Sequence, residues 1–280
     1  METKMFSDIS DTARWVAYYR ALESKREDAL FKDPFAEMLA GKRGEEIVNS
    51  LPSGLRSAWS LAIRTVAFDE LILKTVSSGN FKYVINLASG LDSRPYRLPL
   101  PEDIHWIEVD FPEILDSKIE LMQQFKPTCA LQHWKYDLSN ADMRKEMYAK
   151  INDLKGNVFI ISEGLICYLE EADVKQLSED IFASSNIKSW LFDLFSPLGL
   201  KMLNHSWRSF FNENGAHLRF GNYPAFFENS GWKVVEKISV LEQARRYHRE
   251  VPIADIIKEV FETRNQDQND FYRFLLLSKN

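Results

Sequence analysis

The chain has 280 residues, 45% of them hydrophobic and 27% charged, with a formal charge of −6 and no block of Lys or Arg. That composition allows a substantial globular core and argues against nucleic acid as a partner, which calls for a basic stripe. Two cysteines, Cys129 and Cys167, make neither a disulfide framework nor a metal cluster, so both read as core thiols and no metal is expected.

The first residues are polar, and no apolar run reaches spanning length, which predicts a cytoplasmic protein without a membrane partner. Residues 1–82 read as helical throughout. A first helix near 11–22 carries Ala13, Val16, Ala17 and Ala21 at helical spacing, with Arg14 and Arg20 as candidates to line a site. Asp33-Pro34 reads as a cap followed by a first-turn proline, and Gly41 as the stop of that helix. A longer helix over 55–76 presents Arg64, Phe68 and Leu71 on neighbouring turns before Gly79 ends it.

The run Tyr83–Leu87 is short, apolar and rich in β-branched residues, as in a strand covered on both faces. It ends on Ala88, Ser89 and Gly90, small residues that let a ligand approach the carboxyl edge of a parallel sheet. Twenty residues after Gly90 the next apolar run, 104–109, ends on Asp110. A small-residue turn after one strand and an acid closing the next is the pairing that holds a ribose. Further along come a helix over 112–124, a strand over 130–135 leading to Asp137 and Leu138, and a strand over 158–162 that leads to Glu163. A carboxylate at the end of a strand buried on both faces should meet a cation or hydrogen-bond donors. Next are a helix over 172–184, a strand over 190–194, an aromatic-rich segment over 197–231, a strand over 232–237, a charged helical stretch around 253–264 and a last strand over 271–277. Strands alternating with helices predict one doubly wound α/β domain.

Several stretches in matching order resemble the leucine carboxyl methyltransferase family, including its bacterial polyketide O-methyltransferase-like branch. They are Arg-Ala-Leu-Glu-Ser at 20–24, Asp-Pro-Phe-Ala at 33–36, Asn-Leu-Ala-Ser-Gly-Leu-Asp-Ser-Arg-Pro-Tyr-Arg-Leu at 86–98, Trp-Ile-Glu-Val-Asp-Phe-Pro-Glu-Ile at 106–114 and Glu-Gly-Leu-Ile-Cys-Tyr-Leu at 163–169. The resemblance covers about residues 10–200. It implies a class-I methyltransferase fold: a Rossmann-like, seven-stranded sheet with the last strand antiparallel. Residues 1–82 would form a helical cap, and residues 83–280 the core, with 197–231 as a substrate-side insertion.

The resemblance also implies S-adenosyl-L-methionine as cofactor. Ala88, Ser89 and Gly90 would approach its methionine and ribose, Asp110 would take the ribose hydroxyls, and Asp137 with Leu138 would lie at the adenine. Glu163 would sit near the methionine part, while Arg64, and after it Arg20, would grip the methionine carboxylate by a two-pronged charge-assisted bond. Tyr168 completes the family's Glu-x-x-x-x-Tyr and would contact the acceptor or the methyl. The family turn usually reads Gly-x-Gly, so with Ala88 either the backbone keeps φ below zero or the cofactor sits slightly displaced.

Such a protein methylates an oxygen of a small-molecule acceptor. A carboxylate needs no general base, whereas a phenol, with a pKa of about 10, would benefit from one. Of the histidines only His205 and His217 are candidate bases, so a carboxylate is the favoured acceptor, with Arg14, Arg20 and Arg94 available to neutralise it. Three alternatives stay open: methylation of a protein's terminal carboxylate, an NAD-dependent oxidoreductase, which shares the strand, turn and acid, and a cofactor-binding module without catalysis.

Overall fold

Alternation along the central strands builds two cores from one sheet. In β1 (Tyr83–Leu87) Val84 faces one side with Trp106, Phe159, Leu191 and Phe274, while Ile85 and Leu87 face the other with Ile107, Val109, Ile160 and Trp190. With side chains pointing alternately to opposite faces, a strand covered on both sides must be apolar nearly throughout. The computed structural model describes residues 10–50, 58–206, 217–249 and 271–279. The expected charged stretch at 253–264 lies outside them, as do Trp207, Phe210 and Phe211.

The other strands are β2 (His105–Asp110), β3 (Ala130–Lys135), β4 (Val158–Ser162), β5 (Ile187–Phe195), β6 (Lys233–Ser239) and β7 (Tyr272–Ser278). They form one seven-stranded sheet in the order β3-β2-β1-β4-β5-β7-β6. The first five run parallel, and β7 is antiparallel to both β5 and β6. The antiparallel last strand inferred from the resemblance is thus present, set between its two neighbours.

Residues 10–82 are not helical throughout. Helix α1 (Ser10–Ser24) ends in turns and loop over 25–35 before α2 (Ala36–Ser50) begins. Gly41 bends α2 (φ 59°) without stopping it, and the chain re-enters helix as far as Ser50. Helix α3 (Ala58–Val76) packs on the sheet, with Ile63, Phe68, Leu71 and Ile72 joining Val84 and Trp106 in one core. The structure adds a short helix α4 (Arg94–Arg97) after the small-residue turn, and α5 (Pro112–Met122) follows β2 with Pro112 in its first turn. Helix α6 (Ala141–Asn152) is capped by Asn140, whose side chain accepts from the Asp142 and Met143 amides. Helices α7 (Glu171–Ala183) and α8 (Pro197–Ser206) flank β5.

Of the aromatic residues described in the 197–231 segment, Phe220, Phe226 and Phe227 pack with Trp190 in the second core. They are core, as spacing of this kind usually signals. Both cysteines are free and buried, and burial pushes the Cys129 thiol up to about 11.

Candidate active site

The register of β1 against β2 pairs Leu87 with Val109, so the turn after β1 and the acid ending β2 arrive level at the carboxyl edge. Ser89 N donates to Val109 O at 3.2 Å. Asp110 Oδ2 accepts from Gly90 N at 2.6 Å and Oδ1 from Phe111 N at 2.8 Å. Burial raises the Asp110 pKa against these two N–H groups, which favour the ionised form. Gly90 adopts φ +52°, and a Cβ there would lie 3.2 Å from Ala13 of α1, so glycine keeps the turn low beneath the helix. Ala88 is also left-handed, at φ +52°. The alternative in which its backbone keeps φ below zero is therefore overturned: the chain retains the geometry of a glycine turn with an L-residue in it.

One cavity of about 750 Å³ opens above this edge. Ala88, Ser89, Gly90 and Asp110 line it, with Phe111, Tyr136 and Leu138 beyond Asp110. Its roof is α1, through Thr12, Ala13, Trp15, Val16 and Arg20. The Ser89 hydroxyl is buried and has no hydrogen-bond partner among the described residues. Asp137 does not line the cavity: its Oδ1 accepts from the amide and hydroxyl of Ser139 at 2.8 and 2.6 Å, while Leu138 and Ser139 reach the cavity wall.

At the other end, Glu163 meets the cations its position demanded. Arg64 Nε lies 2.8 Å from Oε1, with its N–H outside hydrogen-bonding geometry, and Arg94 Nη1 lies 2.7 Å from Oε2. Arg94 also holds Asp69 at 2.6 Å and Asp92 at 2.9 Å. Burial disfavours ionisation of Asp92 and Glu163, yet the arginines beside them hold both pKa values below the usual carboxylate range. Arg64 Nη1 reaches Tyr272 Oη at 3.2 Å and Asp193 Oδ2 at 3.4 Å. Arg64 Nη2, like Nε, then remains without a hydrogen bond to a described residue. Arg20 is likewise committed, through Nε to Asp33 at 2.8 Å and Nη2 to the Leu91 carbonyl at 2.6 Å.

Tyr168 lines the cavity beside Cys167, Phe195 and Leu218. His205 and His217 are exposed and do not line it, and neither does Arg14, whose Nη1 turns to the Leu39 carbonyl. Sequence reasoning missed Asp193 and Tyr272. Asp193 is buried, accepts from Gly164 N at 2.6 Å and takes a short hydrogen bond from the Tyr272 hydroxyl. The polar Asp193 within the apolar run of β5 was a usable signal; Tyr272 in an aromatic strand gave none. Among the described residues no group of His, Cys, Asp and Glu could hold a metal ion, and no helix is long and apolar enough to cross a membrane.

The strand order with an antiparallel β7, and a ligand cavity at the carboxyl edge, define a class-I methyltransferase fold. Two solved structures share it: a DUF574 family protein from Streptomyces avermitilis (TM-score 0.60, 13% identity, 96% of this chain and 97% of that one) and a protein from Thermobifida fusca titled a "putative methyltransferase" (TM-score 0.58, 13% identity, 98% and 97%). The sequence profile of leucine carboxyl methyltransferases matches residues 13–182, and the chain belongs to that family. A Streptomyces coelicolor protein named "Putative S-adenosyl-L-methionine-dependent methyltransferase" is 34% identical over 183 residues, covering 61% of this chain and 63% of that protein.

Proposed function

We propose that this protein is a cytoplasmic enzyme that transfers a methyl group from S-adenosyl-L-methionine to an oxygen, carboxylate or hydroxyl, of a small molecule. One observation carries the reading: a continuous cavity joins the Asp110 turn to an apolar end at Trp15, Phe195 and Leu218, giving a nucleoside and a second molecule adjoining places. The residues present fit the cofactor. Asp110 offers a carboxylate to ribose hydroxyls, the unpartnered Ser89 hydroxyl faces the same turn, and Gly90 adds no side chain above it. Leu138 would lie at the adenine, with Asp137 in the adjoining turn, and Arg64 Nη2 would meet the methionine carboxylate, with Glu163 beside Arg64 and Arg20 on the wall of the same cavity.

The sulfonium supplies an electrophilic methyl group when bound. The chain's own contribution is to hold an acceptor in line with that methyl and to exclude water, which helix α1 does from above. Tyr168, on the wall between the Glu163 segment and Leu218, borders the acceptor.

Incubating the protein with methyl-labelled cofactor and a panel of acids, phenols, alcohols, amines and thiols tests this. Label is expected on oxygen, and base treatment separates esters from ethers. Transfer confined to nitrogen or sulfur overturns the oxygen assignment, and transfer confined to a protein's terminal carboxylate replaces the small molecule.

A further inference from the structure

Tyr272 stands where the acceptor end of the cavity meets buried charge. Its ring stacks on Phe195 with centroids 4.1 Å apart and planes 13° apart, and both rings line the cavity. The hydrogen-bond inventory around its hydroxyl is fixed by chemistry. An ionised Asp193 can only accept and Arg64 can only donate, so the Tyr272 proton points to Asp193 and one Oη lone pair faces Arg64 Nη1. A phenolic oxygen has two lone pairs. One is left, and it can serve only a donor. Asp193 is itself held by Gly164 N, and Gly164 adopts φ +68° with Arg64 Nη1 3.3 Å from where a Cβ would lie. The whole cluster is thereby packed in one orientation.

We propose that Tyr272, backed by Asp193, receives the acceptor's proton, and that the acceptor is a neutral hydroxyl compound with an apolar body. This rests on the methyltransferase reading. A carboxylate acceptor would bring a lone pair to a tyrosine with no free proton and a buried carboxylate behind it. A hydroxyl brings the donor that is wanted. In the step, the methyl–sulfur bond breaks and its electron pair goes to sulfur, while the acceptor oxygen bonds the methyl carbon. The acceptor's proton passes to Tyr272 Oη as the Tyr272 proton passes to Asp193 Oδ2, and Asp193 later releases it to water. The products are an ether, a neutral thioether and one proton. Tyr272 would be a catalytic residue, and Asp193, acting through it, a positioning residue.

The test uses Tyr272→Phe, which keeps the stacked ring and removes only the hydroxyl. Calorimetry first establishes that parent and variant bind S-adenosylhomocysteine equally; if the parent does not bind it, the methyltransferase reading falls rather than this one. With that ligand present, 2-naphthol, 2-methoxynaphthalene and 2-naphthoate are titrated. The parent is expected to prefer the naphthol over its ether and over the acid by about tenfold, the worth of one hydrogen bond, and Tyr272→Phe to lose that preference. In turnover with hydroxyl acceptors, kcat should fall about 100-fold with KM little changed, and the solvent deuterium isotope effect should vanish, as for a lost proton-transfer group. A conservative Asp193→Asn, which keeps an acceptor for Gly164 N, should reproduce the kcat loss. Equal binding of the three probes, binding of none, or methylation of carboxylates alone at equal rates in parent and Tyr272→Phe would each overturn the proposal.

Discussion

The two ends of the cavity stabilise their carboxylates by opposite means. At one end Asp110 is held by two backbone N–H groups, Gly90 and Phe111, and forms no ion pair with an arginine among the described residues. At the other end Glu163 lies between Arg64 and Arg94, which also bind Asp69, Asp92 and Asp193. A carboxylate held by amides keeps lone pairs for a neutral ligand's hydroxyls and carries its negative charge without an ion-pair partner. A carboxylate held by arginines balances those cations and locks them. The Asp110 end therefore keeps acceptors open to the cavity, and the other is first a piece of structure whose remaining donors and acceptors are few and directional.

The sharpest way to break that contrast is Arg94→Met. It leaves Asp69, Asp92 and Glu163 short of a cation in a buried site, a loss of about 3–5 kcal/mol, read as a lower urea midpoint. If stability is unchanged, the arginine cluster does not hold the fold together.

Asp110→Ala should act on the other quantity. Cofactor affinity is expected to weaken by about 1–3 kcal/mol, the cost of leaving polar partners without their hydrogen bond, while the fold persists by circular dichroism. A folded variant that binds as tightly as the parent would exclude Asp110 as the ribose ligand.

Acid separates the two ends by sign. Asp92 and Glu163 have folded pKa values below their unfolded ones, so their stabilisation is complete above the unfolded carboxyl range near about 4 and is lost as pH falls toward the folded values. Asp110, raised by burial, contributes in the opposite sense: its ionisation costs stability, and protonation relieves that cost. Denaturation measured from neutral to acidic pH should therefore show a net loss for the parent and a shallower one for Arg94→Met. An equal pH dependence in the two would contradict the pairing.

The smallest effect belongs to Ala88→Gly. Relieving an L-residue at φ +52° should outweigh the added freedom of glycine in the unfolded chain and raise stability by up to about 1 kcal/mol. A fall in the urea midpoint would mean that the Ala88 methyl group packs more than its backbone strains.

The same contrast explains what could be read from the sequence. At the Asp110 end the partners are near in the chain: Gly90 is 20 residues from Asp110 and Phe111 is adjacent to it, so a strand, a small turn and a terminal acid mark that edge of the cavity. The strands β1, β2, β4 and β5 were legible because their apolar runs are short and bounded by turns. At the other end Arg64 meets Asp193 and Tyr272 at separations of 129 and 208 residues, and no local pattern encodes such a meeting. The kink at Gly41, where the sequence predicts a stop, shows a related limit: glycine marks where φ turns positive, while tertiary packing of Ile47 and Val48 decides that the helix resumes. The base absent from the histidines was likewise out of reach, because Tyr272 looks like any aromatic residue of a buried strand.

Isothermal calorimetry of the purified protein with S-adenosyl-L-methionine, S-adenosylhomocysteine and NAD is the most direct test of the cavity's assignment. Saturable heat is expected with both adenosyl ligands, weakened in Asp110→Ala, and none with NAD. Saturable heat with NAD and none with either adenosyl ligand would contradict it.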